Sequence, residues 1–198
     1  EFLTLIQCKD EEKLLRMFFI FMQRYPCDVI SGWNVMNFDL LYLINRTKKL
    51  FGDDTNIYKS LSPIKTVRVW ESDKNDTKLD IAGITVLDYM DLYKWYSPEK
   101  RERYSLDFIC KCELEKGKVD YSEYKNLNEL YDKNYDMFTE YNIIDTLRPS
   151  QLENKLGYIK LVQALSLLCK APMKYYHTQG QLIEGLFITY FRRNGLCA

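Results

Sequence analysis

The chain has 198 residues, 46 % hydrophobic and 15 % aromatic, enough to bury a sizeable core and to exclude disorder. Its 28 Lys and Arg balance 28 Asp and Glu, which excludes a global positive field drawing it onto duplex DNA or anionic lipid, so any nucleic-acid contact is expected to be local. The longest apolar run, MFFIFM at 17–22, is too short to span a bilayer and the opening residues lack signal-peptide flanks, so a soluble, cytoplasmic chain without a membrane partner is expected.

Residues 1–8 (EFLTLIQC) predict a strand. Residues 10–25 (DEEKLLRMFFIFMQRY) predict a helix whose acidic start suits its positive N-terminal dipole and which Pro26 ends. DVISGW at 28–33 reads as a short buried strand, followed by a helix through Leu40, Leu43, Ile44 and Leu50 that Gly52 stops. Two β-rich stretches, KTVRVWES and TKLDIAG, flank a polar turn and predict a hairpin over 66–82. GITVLDYMDLYKWY reads as a strand running into a helix. YSLDFICKCEL is a helix, and NLNELYDKNYDMFTEYNIIDTL a longer helical region. Two further helices follow, in 156–174 and 180–195. This α/β texture, without repeats or linkers, predicts one compact unit, with the charge run KRER at 100–103 as a solvated loop.

Six cysteines (Cys8, Cys27, Cys110, Cys112, Cys169, Cys197) show no C-x-x-C spacing and read as reduced, mostly buried thiols. Trp33 reads as core, and His177, the only histidine, as incidental.

Two stretches share a pattern. Asn34-Val-Met-Asn-Phe38-Asp39 lies where a strand hands over to a helix; Tyr141-Asn-Ile-Ile-Asp145 puts a phenol and a carboxylate on one helical face. Read alone, Asp39 is either an ordinary helix cap or a carboxylate held out for chemistry, and Asp145 either a surface acid or its counterpart. Carboxylates converging on hard divalent cations could hydrolyse a phosphodiester.

With these residues the chain resembles the 3′-to-5′ exonuclease domain of family B DNA polymerases, most closely the T4-like phage branch. GWNVMNFD looks like the family's second exonuclease motif and YNIID like its third; Leu61-Ser-Pro63, the hairpin, GITVLDYMDLYKWYS, YSLDFI and GKVDY follow in the same order and spacing. The resemblance implies a ribonuclease H-like fold, a mixed sheet flanked by helices with an inserted β-hairpin, over residues 1–160. Residues 161–198 would be helices leading toward the polymerase palm. It implies two-metal hydrolysis, with Mg²⁺ or Mn²⁺, of the primer-terminal phosphodiester. Asp39 and Asp145 would be metal-binding carboxylates, and Tyr141 would hold the attacking water. Lys118 would sit by the scissile phosphate. Asn34 and Phe38 would contact the frayed single strand. The implied partners are single-stranded and primer-template DNA and the remaining polymerase domains, and the implied location is the host cytoplasm for a phage-encoded enzyme.

The family's first motif, D-x-E on the opening strand, has no convincing match. Asp10-Glu-Glu12 fits formally but opens an amphipathic helix, and the palm signature is also missing. The chain is therefore expected to be a piece of a longer polymerase lacking its N-terminal strands, and inactive by itself. The alternative is a catalytically silent module that binds single-stranded DNA or packs against polymerase domains. Pro149 is expected to kink the third-motif helix next to Asp145.

Overall fold

Asp10 does the work its position suggests: its carboxylate accepts from the Lys13 amide at 2.8 Å and caps α1 (Glu11–Arg24), with Glu11 and Glu12 in the first turn. Glu11 also takes a forked pair of hydrogen bonds from the Arg46 guanidinium. Of the formal D-x-E match, Asp10 is thus occupied in capping, and the acid between its two carboxylates, Glu11, in ion pairing. The computed structural model describes residues 4, 6–71, 77–115 and 123–196. Where the sequence suggests one compact unit, internal packing forms two: Glu1–Ile30 with Asn34–Leu87, and Ser31–Trp33 with Asp88–Ala198.

In the first unit, α1 is followed by β1 (Val29–Gly32), a π-helical turn (Met36–Leu40), α2 (Leu41–Phe51) and a short 3₁₀ segment (Ile57–Leu61). Gly52, at φ 90°, closes α2 in a conformation that an L side chain resists. Strands β2 (Val67–Glu71) and β3 (Thr77–Ile81) pair antiparallel, from Val67 opposite Ile81 to Glu71 opposite Thr77. The predicted turn, 73–76, lies outside the described residues, and Thr77, which bounds the longer polar stretch 72–77, opens β3. β4 (Thr85–Asp88) pairs with β1, and the Thr85 amide donates to the Asp28 carbonyl at 2.9 Å. Leu15 and Phe19 of α1, Val35, Leu40, Ile44, Leu61, Leu79, Ile81 and Val86 make the core, burial that is the main favourable term in folding.

In the second unit, Asp88 caps α3 (Tyr89–Tyr96) by accepting from the Met90 amide at 3.0 Å. Then come α4 (Leu106–Leu114), α5 (Leu127–Lys133), α6 (Tyr135–Leu156), α7 (Tyr158–Cys169) and α8 (Gln179–Arg193). Trp33 is core, as expected: its indole N–H donates to the Tyr104 carbonyl at 3.0 Å and its ring lies against Tyr89 and Tyr93. Tyr89 donates to Glu153 at 3.1 Å, and Glu153 also accepts from the Ile159 and Lys160 amides, so one carboxylate ties α3 and α6 to the start of α7.

Further sequence expectations change. The opening strand is not formed at Thr4 or Ile6, Gln7 and Cys8, the part of 1–8 that is described; no described strand pairs with them. The long helical region is two helices, because Asn134 caps the second by accepting from the Met137 amide at 3.1 Å. Arg101 of the KRER run is no solvated loop residue but pairs with Glu99 at 2.9 Å and Glu113 at 3.0 Å. The described residues are thus mixed α/β, helix-dominated, with two two-stranded sheets, and no helix among them is long and apolar enough to cross a membrane.

Candidate functional site

The chain leaves β1 through Asn34, which takes the left-handed conformation at φ 58° that Asn tolerates better than most residues. The Phe38 amide donates to the Asn34 carbonyl at 3.1 Å, and the Leu40 amide reaches five residues back to Val35 at 3.0 Å. This extra residue in the turn is a π-bulge, a feature frequent at functional sites. Val35 and Leu40 are buried, Leu40 at 3 % exposure, and they pin the turn to the core. Phe38, 65 % exposed, and Asp39, which lie between these two anchors, are left facing out. Neither the π turn nor α2 has a side-chain cap, so Asp39 caps neither. Partial desolvation pushes the Asp39 carboxyl above the usual carboxylate range, against a smaller pull from its own backbone N–H.

In the second unit, Tyr141 and Asp145 lie one turn apart on α6. Tyr141 is buried and Asp145 half-buried. Pro149 has no N–H to give the Asp145 carbonyl, so the helix carries one missing hydrogen bond directly behind the candidate carboxylate. Arg148, which sequence reasoning passed over, is 8 % exposed. A buried arginine one turn from an acid is the signal that could have found it. The Cys110 thiol of α4 senses the same seam: burial pushes it up to about 11, the Arg148 charge lowers it, and Asp107 and Asp145 raise it again. Cys112, two residues on, is exposed, so Cys110-Lys-Cys112 presents its thiols on different sides.

Asn34, Phe38 and Asp39 thus come together on one turn, and Tyr141 and Asp145 on one helix. Lys118 lies outside the described residues. Carboxylate oxygens suit a hard divalent cation in kind. In number they fall short here: among the described residues no group of three or more His, Cys, Asp or Glu side chains converges. His177 makes an edge contact with Tyr176, ring centroids 4.9 Å apart.

Residues 1–109 match the family model for the DNA polymerase family B exonuclease domain. The DNA-directed DNA polymerase of Escherichia phage RB69 is 37 % identical over 155 residues, covering 77 % of this chain and 17 % of the relative. That of Enterobacteria phage T4 is 30 % identical over 168 residues, 82 % of this chain and 18 % of the relative. The DNA polymerase delta catalytic subunit of Dictyostelium discoideum is 28 % identical over 191 residues, 92 % of this chain and 17 % of the relative. The chain therefore spans under a fifth of the length of these relatives. With the family model matched over more than half of its residues, the chain belongs to the exonuclease-domain family of the family B DNA polymerases.

Proposed function

We propose that this chain is part of the 3′-to-5′ proofreading exonuclease of a phage-type family B DNA polymerase, hydrolysing the primer-terminal phosphodiester. The observation that carries this reading is the Asp39 turn: in a chain of this family, a π-bulge and two buried anchors hold out a carboxylate that caps nothing. Residues 1–160 would form the exonuclease domain, of ribonuclease H-like fold, and 161–198 would lead toward the palm. Asp39 and Asp145 would bind Mg²⁺ or Mn²⁺, with further ligands from the longer polymerase. When bound, such cations neutralise charge at the scissile phosphate. The chain's own residues do the rest: Tyr141 orients the attacking water, and Lys118 stands by the phosphate. Exposed Phe38 stacks on an unpaired base while Asn34 contacts the strand. The working partners are single-stranded and primer-template DNA and the remaining polymerase domains, in the host cytoplasm.

A second reading holds for the chain by itself, as a silent module that binds single strands or packs on polymerase domains. It rests on the count of acids in the two motifs, since Asp39 and Asp145 alone supply too few oxygens for a hard cation.

The test uses the complete polymerase. Asp39→Ala or Asp145→Ala should abolish digestion of single-stranded DNA and leave nucleotide incorporation intact. Tyr141→Phe should lose about 10- to 100-fold, the worth of one water-orienting hydrogen bond. Wild-type digestion by Asp39→Ala would sink the assignment.

A further inference from the structure

Leu40 of the π turn and Ile44 and Thr47 of α2 point inward, at 3, 0 and 0 % exposure. At about 100° of rotation per residue, Tyr42, Asn45 and Lys49 fall on the opposite side of the helix, and all three are exposed. Phe38 stands four residues before Tyr42, close to one turn at either the α or the wider π pitch, so the two rings share that side. Tyr42 is 58 % exposed, nearly as open as Phe38.

The same helix is positively charged in a chain of zero net charge: Arg46, Lys48 and Lys49 are opposed by no acid within α2. Glu11 holds Arg46, and Lys48 lies over the Tyr58 ring at 5.4 Å, so Lys49 is the cation that α2 presents to solvent. Two exposed rings, an amide and a cation in one line suit a single strand, because rings stack on bases of any sequence while the cation meets the phosphates. From Phe38 to Lys49 the helix rises about 16 Å, room for about five stacked nucleotides at about 3.4 Å each. We infer that Tyr42 and Lys49 are strand-contact residues that extend the contact begun at Phe38 and make the reaction favour longer single strands. Hydrolysis from the 3′ end puts that end at Asp39, so the nucleotides upstream of it run along α2, over Tyr42 first and Lys49 last. The inference rests on the reading of Asp39 as a residue of the 3′-to-5′ exonuclease site.

The test follows digestion of unpaired oligonucleotides by the complete polymerase over a range of salt concentrations. Tyr42→Ala should raise KM for a dodecamer at least about fivefold, the lower end of what one stacked base is worth, with the loss in KM rather than kcat. Tyr42→Phe, which keeps the ring, should hold the wild-type KM. Lys49→Gln should raise KM for the dodecamer and flatten its salt dependence by about 0.7 in the log–log slope, the mark of one phosphate contact on a single strand. A trinucleotide is too short to reach position 49 and should not feel that change. An unchanged dodecamer KM in Tyr42→Ala, or an equal effect of Lys49→Gln on both lengths, would overturn the inference. If Tyr42→Ala does not fold, the surface variant Lys49→Gln carries the comparison. Asp39→Ala, with strand binding read by fluorescence anisotropy, separates the two readings. Lost digestion beside binding that ignores positions 42 and 49 defeats only the α2 contact; binding that follows them beside undiminished digestion defeats only the exonuclease assignment.

Discussion

The Tyr93 hydroxyl donates to the Glu113 carboxylate at 2.6 Å, and Arg101 closes on the same oxygen at 3.0 Å while donating to the Tyr93 hydroxyl at 3.1 Å. Three residues from α3, the following loop and α4 thus form one triangle. Burial pushes Glu113 up, but the hydrogen bonds from Tyr93 and Arg101 outweigh it and hold the carboxyl below the usual range. A lowered folded value means stability that is present above the ordinary carboxylate pKa and lost as pH falls through the folded one. Glu113→Gln should therefore lose on the order of 1–3 kcal/mol at neutral pH, the worth of hydrogen bonds to a charged group, and the deficit should shrink on acidification. Urea unfolding across that range checks it, and a deficit independent of pH would count against the triangle.

Cys110 and Cys112 should separate in any thiol assay. Cys110 is 1 % exposed, with its thiol raised to about 11; Cys112 is exposed. At mildly alkaline pH, alkylation should mark Cys112 at least about 100-fold faster, because it is accessible while Cys110 is buried and its raised thiol keeps the reactive thiolate scarce. The sign of the stability effect is opposite to that of Glu113. A raised folded value contributes stability below the ordinary thiol pKa that is lost as pH rises through about 11. Equal labelling of the two in the native protein would show that α4 does not bury Cys110.

The contrast between Arg101 and Asp39 shows what the sequence carries. The strand-to-helix handover at Asp39 is legible because hydrophobic periodicity changes there from two to nearly four within a few residues. The π-bulge inside it is not, since one extra residue in a turn leaves no compositional mark; only the Leu40-to-Val35 hydrogen bond reveals it. Arg101 reads as one charge in a run of four, and its partner Glu113 lies 12 residues away on another element, beyond the reach of any local pattern. Helices α1, α2 and the β2–β3 pair were legible from caps, stops and alternation. Asn134 was not, because a cap inside an unbroken polar-apolar rhythm looks like one more helical residue.

Gly185 is required by the packing of α8 on α7. A Cβ there would stand 2.2 Å from the Cys169 carbonyl oxygen and 3.5 Å from the Ala171 Cβ, so Gly185→Ala must push the helices apart. The expected loss is about 1–3 kcal/mol, the usual cost of overpacking, seen as a lowered Tm. Gly180→Ala, with nothing within 4 Å of its Cβ, supplies the control and should hold or slightly raise Tm through helix propensity. Matching losses at both positions would mean that α8 responds to any glycine replacement and not to this contact.

The β2–β3 hairpin gives the last expectation. Its register faces Leu79 and Ile81 into the core, at 6 and 2 % exposure, while Val69 and Trp70 on β2 stay exposed. The hairpin is therefore anchored through β3 and, at the start of β2, Val67, while exposed Val69 and Trp70 are available to something other than the core. The resemblance to the family B polymerases implies, and we propose, that this hairpin helps to hold primer and template apart. Glu71 and Thr77 are directly paired, so replacing 72–76 by Asn-Gly leaves a two-residue loop of the kind antiparallel strands accept. In the complete polymerase this variant should digest single-stranded DNA at the wild-type rate and a mismatched duplex end more slowly, because only the duplex must be unpaired before its terminus reaches the carboxylates. Rates on the two substrates, measured side by side, decide it. Equal slowing would mean damage to the fold through β3, and no slowing would leave the exposed β2 face without a part in strand separation.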